Sequence, residues 1–575
     1  MKPGRNRWTL LPNQPEIEAE LSRSLKISPL LARVLAQRGH DSPEKGERFL
    51  NPRLKDLSDP FLLGPLRETA IRIWKAIDNK ERIVIYGDYD VDGITSTALL
   101  IRVLKAVGAD VHPFLPRRME EGYGLSPDGV QRCIEETKPR LLIAVDCGTT
   151  ATKEITDLTK RGVDVIVLDH HQPPAELPPC LLINPKIAAQ HSGLSTQHST
   201  INLATVGVVF KLCHGFLKVG RELGKPVEGS ELRKHLDLVA VGTVADVVPL
   251  DGENRTFVRA GLEELARTEK IGLRTLKEVA RVTSRLTPYH IGFQLGPRLN
   301  AMGRLSDAQA SLELLLTEDA ARAKDLAEEL DEQNQDRQLI EQDIFEEAME
   351  MLADFDPEQR VIVLASDDWH VGVIGIVAAR VMREFYRPTV IIGINGDGLG
   401  KGSCRSVEGF HIIDGLKRCE SLLERYGGHQ AAAGLSIQDK NIDAFRVQLE
   451  AIAKETLTAD HLQPSIKACA EVTLDDVNAD LLDDLSLLEP FGSGNPTPVF
   501  IAHQLRLRSA PQVVGTGHLK LWLTHGSRVL DAIGFNFGAW KPQGECVDIA
   551  FMPQWNDYQG ERRIQLKLVD VKDSE

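Results

Sequence analysis

The stretch IVIYGDYDVDGITSTALL, from Ile83 to Leu100, decides the fold class of this 575-residue chain. Its apolar beginning ends at three aspartates on alternate positions, Asp88, Asp90 and Asp92, and a helix-like run follows. Similar apolar runs recur in RLLIAVDCG and DVIVLDHH, and they alternate with helix-like segments such as TKEITDLTKRG. This alternation predicts βαβ units that share a parallel sheet.

The composition is that of a globular protein. Hydrophobic residues make up 42% of the chain, and no apolar stretch reaches the roughly 18 residues that a membrane span needs. The basic start, MKPGRNRWTLLPNQPEIEAE, lacks the apolar core of a signal peptide. The eight cysteines form no CxxC pair, which argues against a disulfide framework and a zinc ribbon. We therefore expect a cytoplasmic protein with no membrane partner.

The formal net charge of −15 does not favour a nucleic-acid partner. That objection weakens if bound cations neutralise a cluster of the acidic residues. A ligand that carries phosphate would then have to be held by local basic patches.

Changes of pattern along the chain predict five parts. A stretch without Gly or Pro begins near residue 306 and predicts one or two long helices, and short alternating runs near the end, such as HLKLWL, predict a small β-barrel. The parts are an N-terminal helical extension over residues 1–75, an α/β domain over 76–305, a connecting long helix over 306–355, a second α/β domain over 356–460, and a barrel over 461–575.

Further acidic and histidine residues follow later apolar runs. Asp146 follows one run, the triplet Asp169-His170-His171 follows another, and Asp246 lies in GTVADVVPL. Because the carboxyl ends of parallel strands meet at one edge of a sheet, we expect all of these runs to end at that edge. A single aspartate there is explained as a helix cap.

Capping does not explain three aspartates within five residues, because two unit charges ~4 Å apart repel by about 4 kcal/mol at an effective dielectric constant of 20. Two divalent cations would neutralise four of the five carboxylates in the set Asp88, Asp90, Asp92, Asp146 and Asp246. Carboxylates together with imidazoles favour Mn²⁺, with Mg²⁺ as the second candidate. The pattern therefore predicts a two-metal site of the kind that hydrolyses phosphoesters.

The motifs that contain these residues resemble those of a known family. The motifs YGDYDVDG, DCG, LDHH and GTVADVVPL, in this order, resemble the four motifs of the DHH phosphoesterase superfamily. GPRLNAMGRLSDA (Gly296–Ala308), KGSCRS (Lys401–Ser406) and GGHQAAAG (Gly427–Gly434) are similar to motifs of its single-strand-specific exonucleases, over roughly residues 80 to 575. The resemblance implies a DHH domain and a DHH-associated domain joined by the long helix around a cleft, and an OB-fold as the C-terminal barrel.

The resemblance also implies roles for the acidic residues. Asp146 would bridge both metals, with Asp88 and Asp90 completing one site. Asp92, His170 and Asp246 would complete the other site. His171 and Arg304 would lie beside the scissile phosphate and stabilise developing charge. The family usually has Asn where this chain has Cys147. The hydrogen bonds that the Asn amide would form are therefore absent, and a thiol lies near the metals. We expect activity to survive this change.

Candidate substrate contacts lie in the later motifs. Arg118, Arg298 and Arg304 are suited to forked contacts with phosphate, although each alone is equally consistent with a surface ion pair. The resemblance adds Tyr123 as a base-stacking neighbour and His429 as a phosphate contact.

In KGSCRS, the small residues Gly402 and Ser403 would let backbone amides approach an anion, and Arg405 supplies charge. An ordinary glycine turn is the alternative. The resemblance assigns this element to the 5′-terminal phosphate.

The barrel offers a separate candidate surface. In HLKLWL the leucines share one face, which leaves Lys520 and Trp522 on the other. A cation beside an aromatic ring is typical of single-strand binding, and packing of Trp522 inside the barrel is the alternative.

The favoured function is a metal-dependent 5′→3′ exonuclease that hydrolyses single-stranded DNA to 5′-mononucleotides in repair and recombination. One alternative is a phosphodiesterase for short oligonucleotides or cyclic dinucleotides, against which the barrel and the N-terminal extension argue. Another is a replication scaffold that has lost its metals, yet this chain lacks none of the ligands. The expected partners are single-stranded DNA and, from the family role, a single-strand-binding protein and a helicase.

Overall fold

The structure is a computed structural model that describes residues 4, 6–117, 121–122, 124–191, 200–227, 231–283, 285–305, 308–558 and 561–574. The chain divides into two compact units. The parallel-sheet unit comprises Glu47–Gln335 and Leu488–Pro496. The barrel unit comprises Met1–Gly46, Asp336–Leu487 and Thr497–Glu575.

Strands and helices are numbered here in chain order. The strands are β1 (Arg7–Leu10), β2 (Ile83–Gly87), β3 (Val111–Phe114), β4 (Leu141–Val145), β5 (Asp164–Leu168), β6 (Leu181–Ile183), β7 (Ile362–Ser366), β8 (Thr389–Ile394), β9 (Leu399–Arg405), β10 (Leu423–Gly428), β11 (Ala432–Gln438), β12 (Ser465–Ala468), β13 (Ala470–Glu471), β14 (Phe500–Leu507), β15 (Gln512–Val514), β16 (His518–His525), β17 (Arg528–Gly534), β18 (Cys546–Tyr558) and β19 (Glu561–Asp573). The helices are α1 (Pro15–Leu25), α2 (Pro29–Gln37), α3 (Pro43–Leu50), α4 (Leu66–Asp78), α5 (Val91–Ala106), α6 (Pro127–Thr137), α7 (Thr152–Lys160), α8 (Pro185–His191), α9 (Thr205–Glu222), α10 (Leu236–Ala245), α11 (Gly252–Ala266), α12 (Ile271–Val279), α13 (Pro288–His290), α14 (Gly296–Leu305), α15 (Gln309–Leu316), α16 (Ala320–Met351), α17 (Ile374–Phe385), α18 (Ile412–Arg418), α19 (Ile442–Thr456) and α20 (Ala479–Leu487).

The predicted parallel sheet is present in the parallel-sheet unit. Its strands follow the order β3-β2-β4-β5-β6, and every pairing between them is parallel. Strands β2 and β4 are buried along their whole length, because helices cover a parallel sheet on both faces. The chain leaves β2 toward β3 and returns to β4 on the other side of β2, so the strand order switches between β2 and β4. Ligand sites form outside the carboxyl ends of strands at such a switch.

The element before Asp246 differs from the expectation. The expectation that Asp246 follows a strand is wrong, because the apolar run before it forms helix α10 and Asp246 is the residue that ends this helix. The run LDLVAVGTVA is apolar on all sides, and α10 is buried over most of its length. A continuous apolar run does not distinguish a buried strand from a buried helix by periodicity.

The barrel unit contains two larger sheets. One has the order β10-β11-β9-β8-β7, in which β7 and β8 pair in parallel and the other pairings are antiparallel. The other has the order β13-β14-β18-β19-β17-β16-β15, and an additional pairing of β14 with β16 closes it into a ring. The predicted C-terminal barrel is therefore present.

The N-terminal residues contribute a strand as well as helices. Strand β1 pairs in parallel with β12, and the indole Nε1 of Trp8 donates to Oδ2 of Asp570 over 2.8 Å. The predicted helices α1 to α3 follow. A four-residue strand with a largely exposed face gives no alternation strong enough to predict from sequence.

A short strap, Leu488–Pro496, lies between α20 and β14 in the chain but belongs to the parallel-sheet unit. The buried guanidinium of Arg255 donates to the carbonyls of Leu488 and Glu489 over 2.9 and 2.8 Å. The amide of Leu250, four residues after Asp246, donates to the carbonyl of Ser493 over 2.7 Å. The strap is therefore bonded to the loop that follows α10.

The boundary between the two units falls within helix α16, which spans 32 residues. Its apolar residues at helical spacing include Leu326, Leu330, Ile344 and Ala348, and all four are buried. Among the described residues, no helix is both long enough and apolar enough to cross a membrane.

Candidate metal centre

Three aspartates lie side by side at the edge of the parallel sheet. Asp88, Asp146 and Asp169 directly follow β2, β4 and β5, whose last residues are aligned in register. The ladder continues one residue further, since the amides of Asp88 and Asp146 donate to the carbonyls of Val145 and Leu168 over 3.2 and 2.9 Å. Asp146 has φ of +64°, a left-handed conformation that is uncommon for a residue other than glycine.

Asp90 and Asp92 lie at the start of helix α5. Asp90 caps this helix, because its carboxylate accepts from the amide of Gly93 over 3.1 Å. The capping explanation therefore applies to Asp90, although it does not exclude a metal. Gly93 permits a tight turn here, since a Cβ at this position would lie 2.5 Å from the carbonyl oxygen of Asp88.

The first turn of helix α9 holds two of the carboxylates. The amides of Thr205 and Val206 donate to Oδ2 and Oδ1 of Asp92 over 2.7 and 2.8 Å. The hydroxyl of Thr205 donates to Oδ1 of Asp146 over 2.8 Å. The partial positive charge of the helix start therefore lies against the acidic cluster.

The predicted ligands come together in two sets of three. Potential ligand atoms of Asp88, Asp90 and Asp146 lie within 4.8 Å of one another, and those of Asp92, His170 and Asp246 do the same. Nε2 of His170 is 3.7 Å from Oδ1 of Asp146 and 3.5 Å from Oδ2 of Asp246. Asp146 thus belongs to the first set and lies close to His170 of the second, as a bridging ligand would.

His171 is held by Asp169 and differs in this respect from His170. Oδ1 of Asp169 accepts from Nδ1 of His171 over 2.7 Å and from the amides of both histidines, while Oδ2 accepts from the amide of Thr149. The buried Asp169 therefore fixes the orientation of the His171 ring and the position of its Nδ1 proton. A further set of close atoms contains His171 with Asp146 and His170.

Electrostatic crowding is visible in the pKa values of the cluster. Burial, followed by the charge of Asp90, raises the pKa of Asp92 to about 7. Burial and the charges of Asp92 and Asp90 raise the pKa of Asp246 to about 9, and the same causes raise that of Asp146 well above its usual value. Such a cluster favours a bound cation, because a cation removes the repulsion between the carboxylates.

The pKa values of the two histidines are shifted in opposite directions. Burial and the neighbouring His171 lower the pKa of His170 to about 3, so its ring is neutral and able to ligate a metal. Burial also lowers the pKa of His171, but the hydrogen bond and charge of Asp169 outweigh burial and raise it overall. The two rings therefore suit different tasks.

The residues present fit divalent cations. Besides the two sets of ligand atoms, Oδ2 of Asp246 is buried without a hydrogen-bond partner among the described residues. Beside the cluster lies a cavity of 180 Å³. Its lining consists of Tyr89, Asp90, Val91, Asp92, Ala245, Asp246, Asn300 and Gly303. A carboxylate-rich site with one imidazole is suited to Mn²⁺ and tolerates Mg²⁺.

Cys147, which departs from the family pattern, behaves as an apolar residue. It is 2% exposed and packs in the cluster of buried side chains on one face of the sheet. Burial raises the pKa of its thiol well above the usual value, so the sulfur stays protonated. A neutral thiol is a poor competitor of the carboxylates for a metal.

Three of the predicted substrate contacts lie outside what the structure describes, namely Arg118, Tyr123 and the side chain of Arg304. Arg298 is described, and it forms an ion pair with Asp331 over 2.8 Å while donating to the carbonyl of Gln294. A phosphate would therefore have to compete with Asp331 for this guanidinium.

Ser403 and Arg405 lie together in strand β9 of the barrel unit. Nη1 of Arg405 donates to Oγ of Ser403 over 3.3 Å, and a Cβ on Gly375, in the first turn of α17, would lie 3.0 Å from the same oxygen. The side chains therefore face a helix start, which favours an anion. The expectation that backbone amides of KGSCRS approach the anion is wrong, because β9 is paired on both sides.

His429 lies in the connection between β10 and β11 of the same sheet and is exposed, and its amide donates to the carbonyl of Ala432 over 2.8 Å. Lys520 and Trp522 lie on strand β16, whose three leucines are buried as expected. Nζ of Lys520 is 5.1 Å from the centroid of the Trp522 ring, so this cation and this aromatic face are adjacent.

Sequence reasoning missed Thr205, Asn300 and the positioning role of Asp169. A threonine at the start of a helix is a common capping signal, but nothing in its spacing relates it to carboxylates more than fifty residues away. Lys186 is also missed, and its Nζ donates to the carbonyl of His170 over 2.6 Å.

Comparisons with known proteins identify the family of the chain. Residues 82–243 match the DHH family, N-terminal domain, residues 358–455 match the DHHA1 domain, and residues 470–570 match the RecJ OB domain. The single-stranded-DNA-specific exonuclease RecJ of Bacillus subtilis is 35% identical over 583 residues, covering 100% of this chain and 72% of the relative.

Solved structures of RecJ from Thermus thermophilus are similar over nearly the whole chain. The complex with Mn²⁺ has a TM-score of 0.84 at 32% identity, covering 99% of this chain and 80% of that one. The complex with Mg²⁺ has a TM-score of 0.78 at 31% identity, covering 99% of this chain and 79% of that one.

Proposed function

The chain belongs to the RecJ family of single-stranded-DNA-specific exonucleases, and from this premise we propose that it degrades its strand in the 5′→3′ direction and releases 5′-mononucleotides. It is a phosphodiester hydrolase that acts on single-stranded DNA. The observation that supports hydrolysis at this site is the pair of ligand sets, one containing Asp146 and the other His170, whose Nε2 is 3.7 Å from Oδ1 of Asp146.

The metal ligands in this proposal are those predicted from the sequence. Asp88 and Asp90 would hold one cation, Asp92, His170 and Asp246 would hold the other, and Asp146 would serve both. Two bound divalent cations, with Mn²⁺ preferred, supply Lewis acidity and an activated water for an in-line displacement at phosphorus. The neutral ring of His170 supports this assignment, because a protonated imidazole cannot ligate a metal.

His171 acts on the substrate in this proposal. Asp169 accepts from Nδ1 and raises the pKa of the ring, so His171 presents a proton at Nε2 to an oxygen of the scissile phosphate. Arg304, in the motif GPRLNAMGRLSDA, supplies a second positive charge. Both groups stabilise negative charge that grows in the transition state.

Polarity is proposed to arise from the 5′-terminal phosphate. Ser403, Arg405 and the first turn of α17 offer a hydroxyl, a guanidinium and a helix start to one anion. A strand that is recognised by its 5′-terminal phosphate is degraded from that end, so that each cycle removes one 5′-nucleotide.

Further contacts to the strand complete the proposal. Arg118, Arg298 and His429 contact phosphates, and Tyr123 stacks on a base. Lys520 and Trp522 on the barrel bind the strand by phosphate neutralisation and base stacking, for which their adjacency is the support. A cytoplasmic location, a role in repair and recombination, and the partnership with a single-strand-binding protein and a helicase rest on the family resemblance.

The experiment that tests polarity compares two labelled ends. A strand with a 5′-phosphate and a label at either end is digested with Mn²⁺ by the wild type and by Arg405→Ala. The proposal expects the 5′ label to appear in mononucleotides first, and a preference for 5′-phosphate over 5′-hydroxyl that Arg405→Ala abolishes. Release of the 3′ label first, or cleavage of dinucleotides with no action on long strands, contradicts it.

A further inference from the structure

Two aromatic side chains near the metal centre are unusually exposed. Tyr289 is 59% exposed and Phe293 is 70% exposed. The two rings are stacked, with centroids 4.9 Å apart and an angle of 27° between their planes. Exposed aromatic surface lowers stability, because each ring leaves a large apolar area in water, so a stacked and exposed pair points to a binding role.

The backbone that carries this pair packs against the element that carries Asp246. A π-helical turn, Ile291–Leu295, joins α13 to α14, and such single turns are frequent at functional sites. A Cβ on Gly292 would lie 3.9 Å from Cγ1 of Val244, and a Cβ on Gly296 would lie 3.6 Å from Cβ of Ala245. Phe293 is therefore adjacent in sequence to a residue that contacts the end of α10.

The same helical segment runs from the aromatic pair to the metal centre. Asn300 and Gly303 of α14 line the cavity beside Asp90, Asp92 and Asp246. Phe293 precedes Asn300 by seven residues, which is about 10 Å of rise along a helix. About three stacked nucleotides cover the same distance at ~3.4 Å each. The pair therefore lies within reach of the few nucleotides next to a cleaved phosphodiester.

A cation lies close to the pair in sequence. Arg285 is four residues before Tyr289, its side chain is 79% exposed, and it forms an ion pair with Glu489 over 2.9 Å. An exposed ion pair of this kind contributes little free energy, so a phosphate can replace the carboxylate at little cost. Aromatic faces beside an exposed cation are what proteins use to bind single strands.

We propose that Tyr289 and Phe293 form a stacking platform for bases of the single strand whose phosphodiester lies at the metal centre. The platform rests on the proposed function, and it deepens that function by assigning a contact that reads bases rather than phosphates. Stacking accepts every base, which suits an exonuclease that has to advance through any sequence.

The test compares strands with and without bases. KM and kcat are measured with Mn²⁺ on a 20-nucleotide strand, on the same strand with abasic sites at the three positions after the cleaved bond, and on a dinucleotide. Tyr289→Ala and Phe293→Ala should each raise KM on the complete strand about 5- to 100-fold and change kcat less than about twofold. Tyr289→Phe should retain the wild-type KM, because the ring is kept.

The abasic strand separates stacking from a general structural effect. The wild-type KM on the abasic strand should exceed its KM on the complete strand by the same factor as the alanine substitutions produce. On the abasic strand, the alanine variants and the wild type should have the same KM. KM for the dinucleotide should stay unchanged, since it does not reach the platform. Val447→Ala, which removes another exposed apolar side chain, serves as the control. Melting temperature and Mn²⁺ affinity confirm that the variants are folded.

The outcomes are distinguishable. Alanine variants that keep the wild-type KM on the complete strand, or that lose equally on complete and abasic strands, overturn the platform. A wild-type protein that leaves all strands intact would instead overturn the proposed function on which the platform rests.

Discussion

Asp92 and Asp246 bind protons more tightly than an aspartate in water, because burial and neighbouring carboxylates disfavour their charged forms. Their pKa values are raised to about 7 and about 9 in the folded chain. Since the unfolded values are lower, this contribution to stability is fully present at low pH and is lost as the pH rises through about 7 and then about 9. A bound cation offsets this loss of stability, because its positive charge compensates the ionised carboxylates.

The expected result is a pH-dependent stabilisation by metal. Between pH 6 and pH 8.5, the melting temperature of the metal-free protein should fall, and the increase produced by excess Mn²⁺ should grow, because fewer protons have to be displaced. Thermal melts with chelator and with Mn²⁺ measure both quantities, and Asp246→Asn should flatten the dependence. An Mn²⁺-induced increase that is equal across this range would contradict the electrostatic account of the cluster.

A second prediction at this scale concerns Asp169. In Asp169→Asn the side-chain amide nitrogen has to face either the amide of Thr149 or the donors of the two histidines, and the charge that raises the pKa of His171 is gone. We expect kcat to fall about 10- to 100-fold, with activity lost at a lower pH than in the wild type, as measured by a pH–rate profile.

Asp164→Asn, at the opposite end of strand β5, is the matched control and should leave the profile unchanged. A profile of wild-type shape in Asp169→Asn would show that His171 does not depend on this carboxylate.

The acidic residues of the cluster are predictable from the sequence, because a charged residue at the end of an apolar run needs a physical explanation. The carboxylates Asp88, Asp146 and Asp169 follow strands in register, as expected. Thr205 was not within reach, because its contact with Asp146 depends on where α9 begins in three dimensions.

At the scale of elements, the first turn of α9 is expected to set metal affinity. Thr205→Ala removes the hydroxyl that donates to Asp146 and leaves the two amides on Asp92, so Mn²⁺ affinity should fall about 10-fold. Thr205→Ser keeps the hydroxyl and should retain affinity within about twofold. Calorimetric titration with Mn²⁺ measures both, and equal affinities of the two variants would contradict this role for the helix start.

The strap is expected to contribute stability to the parallel-sheet unit. Arg255 lies against the ring of Phe49, 3.8 Å from its centroid, and donates to carbonyls of Phe49, Leu488 and Glu489. Arg255→Met keeps the apolar stem and leaves buried carbonyls without these donors. The free energy of unfolding of this unit should fall by about 3 kcal/mol, as measured by urea denaturation.

Arg259→Met is the control for the strap, because Arg259 is more exposed and donates to the carbonyl of Leu50. Its urea midpoint should shift less. Equal shifts for the two variants would assign the effect to a general loss of charge on α11.

Element type was predictable where a period was clear. Helix α5 and strands β2, β4 and β5 follow their patterns, while α10 does not, because an apolar run that is buried on all sides has no period to read. Strand β1 is short and pairs with β12, more than 450 residues later in the chain, so its partner leaves no local signal.

At the scale of the whole molecule, the barrel is expected to bind the strand separately from the chemistry. Lys520→Gln should reduce the slope of log Kd against log salt concentration by about 0.7, because one phosphate contact is lost. Trp522→Ala should weaken binding about 5- to 100-fold without changing that slope. Both are measured by fluorescence anisotropy with a labelled strand, in the background of Asp146→Asn.

Lys541→Gln, an exposed lysine in a loop of the barrel, is the control. Binding that is the same in all three variants would place the strand elsewhere on the protein.

The order of the parts along the chain was predictable, because each part has its own composition. The division into compact units was not, since residues at both ends of the chain join the same unit and the strap joins the other. Such groupings depend on contacts like that of Arg255 with Glu489, which join segments far apart in sequence.

We conclude that the chemistry takes place at the cluster around Asp146. The most direct test of this conclusion is digestion of a 5′-phosphorylated, internally labelled single strand with Mn²⁺ by the wild type and by Asp146→Asn. Asparagine is the suitable replacement, because it tolerates the left-handed backbone at this position better than alanine does. We expect mononucleotides from the wild type and an intact strand with Asp146→Asn. Degradation at the wild-type rate by Asp146→Asn would contradict it.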